Sequence, residues 1–192
     1  MRQFDRSGIF FTILVFGMIA VSAPRAAAQS IAQPRTWTVT PFLGTSMGIS
    51  DDAGAGNSAL IGVGVGYDWT SNIGFEGEFA YLFDVAGDTE LVDWSVTNVS
   101  GNFLYHFDVQ HNVTPYATFG IGFERSSIDP DPDPLALFPP SSTEVSFNFG
   151  GGVKYPITQN LIVRGDLRRF QSNDLAPDYW RLYGGLTFTL GR

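Results

Sequence analysis

Between Thr36 and Leu190 the sequence repeats one kind of segment eight times. Within each segment, ten to fourteen residues long, apolar side chains alternate with small, polar or charged ones, and a turn or loop follows. A period of two predicts a β-strand, because successive side chains of a strand point to opposite faces. Eight such strands in succession predict an all-β fold, an eight-stranded antiparallel up-and-down barrel.

The connections between the predicted strands alternate in length. The longer ones lie near residues 47–58, 84–93, 125–143 and 171–179, and the shorter ones near 70–72, 108–112 and 156–160. Successive connections of such a barrel lie at opposite rims, so the long loops share one rim and the tight turns share the other. This asymmetry is typical of transmembrane β-barrels of the bacterial outer membrane.

The N-terminus has the features of an export signal. Arg2 and Arg6 precede an apolar run over residues 9–22, and the small residues at 26–28 suit a cleavage site before Gln29. The sequence therefore predicts a signal peptide over residues 1–28 and one outer-membrane β-barrel domain over residues 29–192. The apolar run is shorter than the roughly 20 residues that a membrane-spanning helix needs.

Charge and composition argue against several classes of function. The formal net charge of −8 disfavours nucleic acid as a partner, because phosphate binding needs a basic patch. The chain has no cysteine, and its two histidines, His106 and His111, are not at metal-ligand spacing. Both histidines are expected at the short-turn rim, away from the outer leaflet where a lipid hydrolase would need one. We expect no catalytic residue, no metal site and no cofactor, and hence no enzyme.

One face of every predicted strand is rich in Phe, Val and Ile, and the other in Gly, Ser and charged residues. A soluble lipocalin-like barrel would turn the apolar face inward around a ligand. Two features favour an apolar exterior instead. Glycine and serine crowd the charged face, as a narrow lumen requires, and aromatic residues gather near strand ends, as at two membrane interfaces. We therefore expect Phe75, Phe119 and Phe147 to face lipid.

The predicted aromatic belts comprise Trp37, Tyr67, Trp69, Tyr105, Phe107, Tyr155 and Phe188 towards the short-turn rim, and Tyr81, Phe83, Phe123 and Trp180 towards the long-loop rim. Two prolines, Pro41 and Pro115, lie inside predicted strands, where each removes one ladder donor. We expect both near the short-turn end of their strand, where a turn or water compensates for the missing donor.

Several stretches resemble a known family, the small outer-membrane β-barrel proteins that include OmpA-like and OmpX-like barrels. They are Asn112–Tyr116, Gly120–Gly122, Gly150–Tyr155, Asn160–Leu161 and Arg164–Arg168. The resemblance covers the whole mature chain and implies an outer-membrane barrel with both termini in the periplasm, but no single activity. In this family the assembly machinery reads an aromatic end of the last strand. Here Tyr183, Gly185, Phe188 and Leu190 resemble that signal, although the chain continues to Arg192.

Charged residues on the small-residue face predict an ion network inside the barrel. Strands three and seven of eight lie on opposite walls, so Glu76 and Glu78 should face Arg164, Asp166 and Arg168. Charges away from bulk water are costly unless they are paired, and both signs occur at similar depth. The remaining members of the predicted network are Asp68 and Lys154 near the short-turn rim, and Glu124, Glu144 and Arg181 near the other. A wet, loosely paired lumen is the alternative.

The connection 125–143 is the most distinctive of the long loops. An Asp-Pro repeat is followed by an apolar cluster, and the candidate interaction residues are Asp129, Asp131, Asp133, Leu135, Leu137 and Phe138. The sequence favours a non-enzymatic outer-membrane protein with a structural or surface-interaction role carried by its extracellular loops. Its expected partners are outer-membrane lipid, lipopolysaccharide and the barrel assembly machinery. A narrow porin-like channel, a lipocalin-like soluble binder and a lipid-modifying enzyme are the alternatives.

Overall fold

The computed structural model describes residues 33–47, 57–83, 93–108, 112–129, 141–172 and 178–190. They form eight strands: β1 Thr36–Met47, β2 Ala59–Asp68, β3 Ile73–Leu82, β4 Asp93–His106, β5 Thr114–Asp129, β6 Ser141–Pro156, β7 Leu161–Ser172 and β8 Tyr179–Leu190. The predicted signal peptide, His111 and residues 130–140 lie outside the described residues. Within the described ranges, no helix is long and apolar enough to span a bilayer.

Each strand pairs antiparallel with its neighbours in the chain, and β8 pairs with β1 to close the barrel. The predicted eight-stranded up-and-down barrel is therefore confirmed. Strands β5 and β6 are 16 residues each, longer than expected. Residues 125–129 and 141–143, expected to be loop, belong to these strands: residues 125–127 pair with 141–143, for example Arg125 with Thr143, and residues 128–129 pair with β4. Their side chains are mostly polar, so they lack the apolar alternation that marks the other segments.

The strands are staggered around the barrel. A row of paired residues that starts at Thr36 on β1 and follows each neighbouring strand in turn returns to β1 at Ser46, ten residues further along. Strand tilt and stagger are linked, and eight-stranded barrels tilt their strands by about 35–45° from the axis. Rows of paired residues therefore climb obliquely around the wall. The interior of such a barrel is just wide enough for side chains to fill.

The apolar face points outward. Phe75, Phe119 and Phe147 are 45%, 58% and 41% exposed, whereas Glu78 and Arg168 are buried. A barrel with an apolar ligand chamber, as in the lipocalin-like alternative, is therefore not the arrangement of this chain.

The aromatic side chains form a continuous row on the outer face of the barrel. On six consecutive strands the residues paired across the wall are Trp37, Tyr67, Phe75, Phe103, Phe119 and Phe149. The next two positions of the row are Arg169 and Trp180, whose guanidinium carbon and ring centroid are 5.7 Å apart. Because rows climb, this aromatic row runs from the short-turn rim at Trp37 to the long-loop rim at Trp180.

The lumen is less polar than the sequence predicts. A cluster of buried residues in its long-loop half comprises Phe42, Leu60, Ala80, Leu82, Val96, Phe170, Tyr179 and Tyr183. We expected only small or charged side chains on this face, and that expectation is wrong for these positions. The reason is packing: the inward glycines of β2 leave room that large side chains fill. A Cβ at Gly62 would lie 2.3 Å from a ring carbon of Phe42.

The sequence predicts Pro41 near the end of its strand, but it lies in the middle of β1. It pairs with Val63 on β2. On the other side, the ladder to β8 has pairs at Val39 and Phe42 but not at Thr40 and Pro41. Proline lacks the N–H that this ladder needs. A hydrogen bond of 2.8 Å between the hydroxyl groups of Thr40 and Thr187 crosses the seam at this level.

Candidate functional site

The charged residues of the lumen project from strands whose neighbours carry little side-chain bulk. Glycines occupy the inward positions of β2 beside Glu76, so that a Cβ at Gly64 would lie 3.1 Å from the Glu76 carboxyl carbon. On β5, a Cβ at Gly120 would lie 1.9 Å from the amide oxygen of Asn102. The glycines on the inward face thus leave the space that long polar and ionic side chains of neighbouring strands occupy.

Two carboxylates, Glu76 and Asp166, and two arginines, Arg164 and Arg168, form the part of the network that is nearer the short-turn rim. Arg164 donates to both oxygens of Glu76, one of these bonds being 3.0 Å, and its Nε donates to Asp166 at 2.6 Å. Arg168 Nη2 lies 3.1 Å from both Glu76 Oε1 and Asp166 Oδ1. None of these four side chains is more than 4% exposed. Each carboxylate therefore contacts both guanidinium groups.

The network continues towards the long-loop rim. Arg168 Nη1 lies 3.2 Å from Glu78 Oε2, and Arg181 Nη1 lies 3.4 Å from Glu78 Oε1. Arg181 Nη2 in turn lies 3.4 Å from Glu124 Oε1. Charges of alternating sign thus connect β3, β5, β7 and β8 through the centre of the barrel.

Three tyrosines complete the coordination of the carboxylates. The hydroxyl of Tyr116 donates to Asp166, that of Tyr179 donates to Glu124, and that of Tyr183 donates to Glu78 at 2.9 Å. These three tyrosines are not among the residues of the ion network that the sequence predicts. The signal was available, because Tyr179 and Tyr183 are each two residues from Arg181 and so share its face.

Asparagines also enter the network and were not expected there. Asn98 Nδ2 donates to Glu124 at 3.3 Å, and its Oδ1 accepts from Arg181 at 3.3 Å. Asn148 Nδ2 donates to Asn102 Oδ1 at 2.9 Å. Alternation along β4 and β6 would have assigned all three to the inward face.

Arg181 joins the ionic and apolar parts of the lumen. Its guanidinium carbon lies 3.8 Å from the centroid of the Phe170 ring, and that ring stacks on Tyr179 with centroids 5.4 Å apart. Cation–π contacts of this kind strengthen when the cation is removed from water, and Arg181 is fully buried. The apolar cluster therefore packs directly on the end of the ion network.

Two of the remaining predicted members, Lys154 and Asp68, lie apart from this chain of contacts. Lys154 Nζ is 2.9 Å from His106 Nε2, and within the described ranges no carboxylate lies within 4 Å of it. Asp68 is buried nearby, where a Cβ at Gly74 would lie 2.8 Å from its Oδ1. Glu144 on β6 is paired across the wall with Glu124 on β5. The sequence predicts Lys154 and Asp68 among the paired charges, and no ion pair of 4 Å or less joins either of them to the described residues.

The geometry of the network fits a mechanical role. Buried ions are costly to desolvate, and removing one partner of such a pair costs about 3–5 kcal/mol because the other charge remains buried. Arg164 and Arg168 on β7 both bond to Glu76 on β3, which lies on the opposite wall, and Arg181 on β8 bonds to Asn98 on β4. Among the described residues, no group of His, Cys, Asp and Glu is arranged to hold a metal ion. The lumen therefore contains a cross-brace that holds opposite walls together.

Comparisons with known proteins agree with this architecture. The family described as "Outer membrane protein beta-barrel domain" matches residues 11–190. None of the curated proteins is significantly similar in sequence.

Solved structures resemble the fold at low sequence identity. Neisserial surface protein A superposes with a TM-score of 0.64 at 16% identity, covering 86% of this chain and 100% of that chain. The N-terminal β-barrel domain of Pseudomonas aeruginosa OprF has a TM-score of 0.57 at 16% identity, with 82% and 100% covered. Ail, the attachment invasion locus protein of Yersinia pestis, has a TM-score of 0.54 at 15% identity, with 81% and 100% covered.

Proposed function

Because this chain belongs to the outer membrane protein β-barrel family, we propose that it is a non-enzymatic surface protein whose barrel is an anchor and scaffold. In this proposal its activity resides in the long connections, which contact partners outside the cell. The chain is an outer-membrane β-barrel, and the proposal concerns what that barrel does.

The filled lumen is the observation that carries the proposal. Arg168, Arg181, Phe170 and Leu82 are each 0% exposed, although they project into the centre of the barrel. Ionic and apolar side chains occupy successive levels along the axis, so a solute would have to break several buried ion pairs to pass. A rigid, filled barrel suits a scaffold and disfavours the narrow porin-like channel.

The proposed orientation places both termini in the periplasm. β1 begins and β8 ends at the rim that also carries the short turns 69–72 and 157–160. In outer-membrane barrels short turns face the periplasm and long loops face the exterior. The predicted signal peptide over residues 1–28 supports export across the inner membrane, and the aromatic and apolar residues Phe188 and Leu190 at the end of β8 support recognition by the assembly machinery.

The connection between β5 and β6 is the proposed contact region. Asp129 is the last residue of β5 and not a loop residue as predicted; the other candidates, Asp131, Asp133, Leu135, Leu137 and Phe138, lie outside the described residues. The sequence supports a contact with lipopolysaccharide here, because acidic residues can share divalent cations with its phosphates and the apolar cluster adds affinity.

Replacing residues 130–140 by a short Gly-Ser linker tests the proposal. The variant should still insert and show the heat-dependent gel mobility of a folded barrel. In detergent micelles it should lose binding to purified lipopolysaccharide, whereas the unaltered protein retains that binding. A variant that no longer folds would contradict the division between scaffold and loops, and steady ion conductance of the intact protein in planar bilayers would favour the channel.

A further inference from the structure

Two glycines on the lipid-facing side of the wall have no packing reason within the barrel. Gly77 on β3 and Gly101 on β4 are paired with each other, and both point outward. A Cβ at Gly101 would meet no atom of the described residues within 4 Å, and one at Gly77 would meet only the Val65 carbonyl oxygen at 4.0 Å. Inward glycines such as Gly120 and Gly150, by contrast, would clash at 1.9 and 2.2 Å.

Glycine inside a strand weakens it, and it often marks a place where another molecule approaches the backbone. Gly77 and Gly101 form the floor of a depression of about 540 Å³ in the outer surface of the barrel. One long wall is the aromatic row from Trp37 to Phe119, and Val65 and Ile121 lie at the level of the glycines. We call this depression the lipid-facing trough.

The dimensions of the trough match one acyl chain. It extends over β1 to β5, which is four interstrand spacings or about 19 Å. Because paired rows climb at about 35–45°, the trough rises by about 12 Å, which is half of the roughly 25 Å apolar band of an outer-membrane barrel. It therefore begins at the short-turn interface beside Trp37 and ends near the bilayer midplane beside Ile121.

A cationic residue lies at the interfacial end. Arg35 is exposed, lies directly before the start of β1 and precedes Trp37 by two residues. Its backbone N–H donates to the carbonyl of Asp68 at 2.6 Å, which attaches this residue to the end of β2. A guanidinium group at this position complements a phosphate.

We propose that the lipid-facing trough binds one glycerophospholipid of the leaflet at the short-turn rim, with an acyl chain along Gly77 and Gly101 and the phosphate at Arg35. The bound acyl chain fills the space that side chains at positions 77 and 101 would otherwise occupy, and it makes the contacts that those side chains would make. The inference depends on membrane residence and is independent of the loops and of the lumen.

Gly165 on β7 provides a matched control. It also faces outward, and a Cβ there meets no atom of the described residues within 4 Å. Gly101→Val should fill the trough, whereas Gly165→Val adds the same side chain to a different part of the lipid-facing wall. Folding of each variant is checked by its heat-dependent gel mobility, and Gly77→Val is a second blocking variant.

Native mass spectrometry of the detergent-purified protein with dioleoylphosphatidylglycerol measures the binding. The wild type and Gly165→Val should each retain one lipid, while Gly101→Val and Gly77→Val should bind about tenfold more weakly, the equivalent of about 1.4 kcal/mol. Arg35→Gln should weaken binding by a smaller factor. Equal lipid retention in Gly101→Val and Gly165→Val would overturn the proposal. So would a wild-type dimer that Gly101→Val abolishes without loss of lipid, since that result assigns the trough to a second copy.

Discussion

The ion pair between Glu76 and Arg164 offers the most direct test of the lumen cross-brace. Arg164 donates two hydrogen bonds to Glu76 and two to Asp166, and both pairs are almost completely buried. Arg164→Met keeps most of the volume but leaves two buried carboxylates with Arg168 as their remaining arginine. We expect the free energy of unfolding to fall by about 3–5 kcal/mol.

A double-mutant cycle isolates the pair. Glu76→Gln preserves the shape of the side chain and removes its charge, and in the Glu76→Gln/Arg164→Met variant no charge of this pair remains unpaired. Arg168 still contacts position 76, so part of the interaction survives in each single variant. We therefore expect a coupling energy of about 2 kcal/mol, within the range of 0.5–3 kcal/mol observed for residues in direct contact.

Urea unfolding in lipid vesicles, followed by tryptophan fluorescence and by gel mobility of unheated samples, measures these free energies. The pair Arg169 and Asp178 is the control, because its 3.0 Å bridge joins side chains that are 22% and 39% exposed. Its coupling should be between about 0 and 1 kcal/mol. A coupling near zero for Glu76 and Arg164 would refute the cross-brace and indicate a hydrated lumen.

Three further predictions use the same unfolding assay. Pro41→Val should raise the free energy of unfolding by about 0.5–1.5 kcal/mol, because it supplies a donor to the β1–β8 seam; a loss of stability would show that the seam is already satisfied. Gly120→Ala should lower it by about 1–3 kcal/mol through overpacking of the lumen, whereas Gly165→Ala should not, and equal effects would contradict the packing analysis. Tyr183→Phe should cost about 1–3 kcal/mol, because Glu78 loses a buried donor, and an unchanged midpoint would show that the hydroxyl is dispensable.

Alternation along the strands was enough to predict the faces of the barrel. Glu76 and Arg164 could be placed opposite each other because strand order in an up-and-down barrel follows chain order. The height of each side chain along the barrel axis was harder to predict, because it depends on the stagger between neighbouring strands. No local sequence pattern encodes that stagger. The sequence also predicts Pro41 near the end of its strand, whereas it lies in the middle of β1.

Aromatic residues caused the other differences. The sequence predicts small or charged side chains on the inward face, whereas Phe42, Phe170 and Tyr183 also occupy inward positions. Whether such a residue fills a lumen depends on how much space the facing glycines leave, which only the closed barrel determines. The sequence predicts residues 141–143 as loop, although they belong to β6, because a polar segment shows no apolar alternation.

The greater length of β5 and β6 determines how far this part of the barrel extends beyond the apolar layer of the membrane. Sixteen residues of β5 and of β6, at about 3.4 Å each and a tilt near 40°, reach a height of about 41 Å. The apolar band of such barrels is only about 25 Å tall. The β5–β6 hairpin is therefore about 15 Å taller than the apolar band, so the polar residues 125–129 and 141–143 at its end lie outside the hydrocarbon.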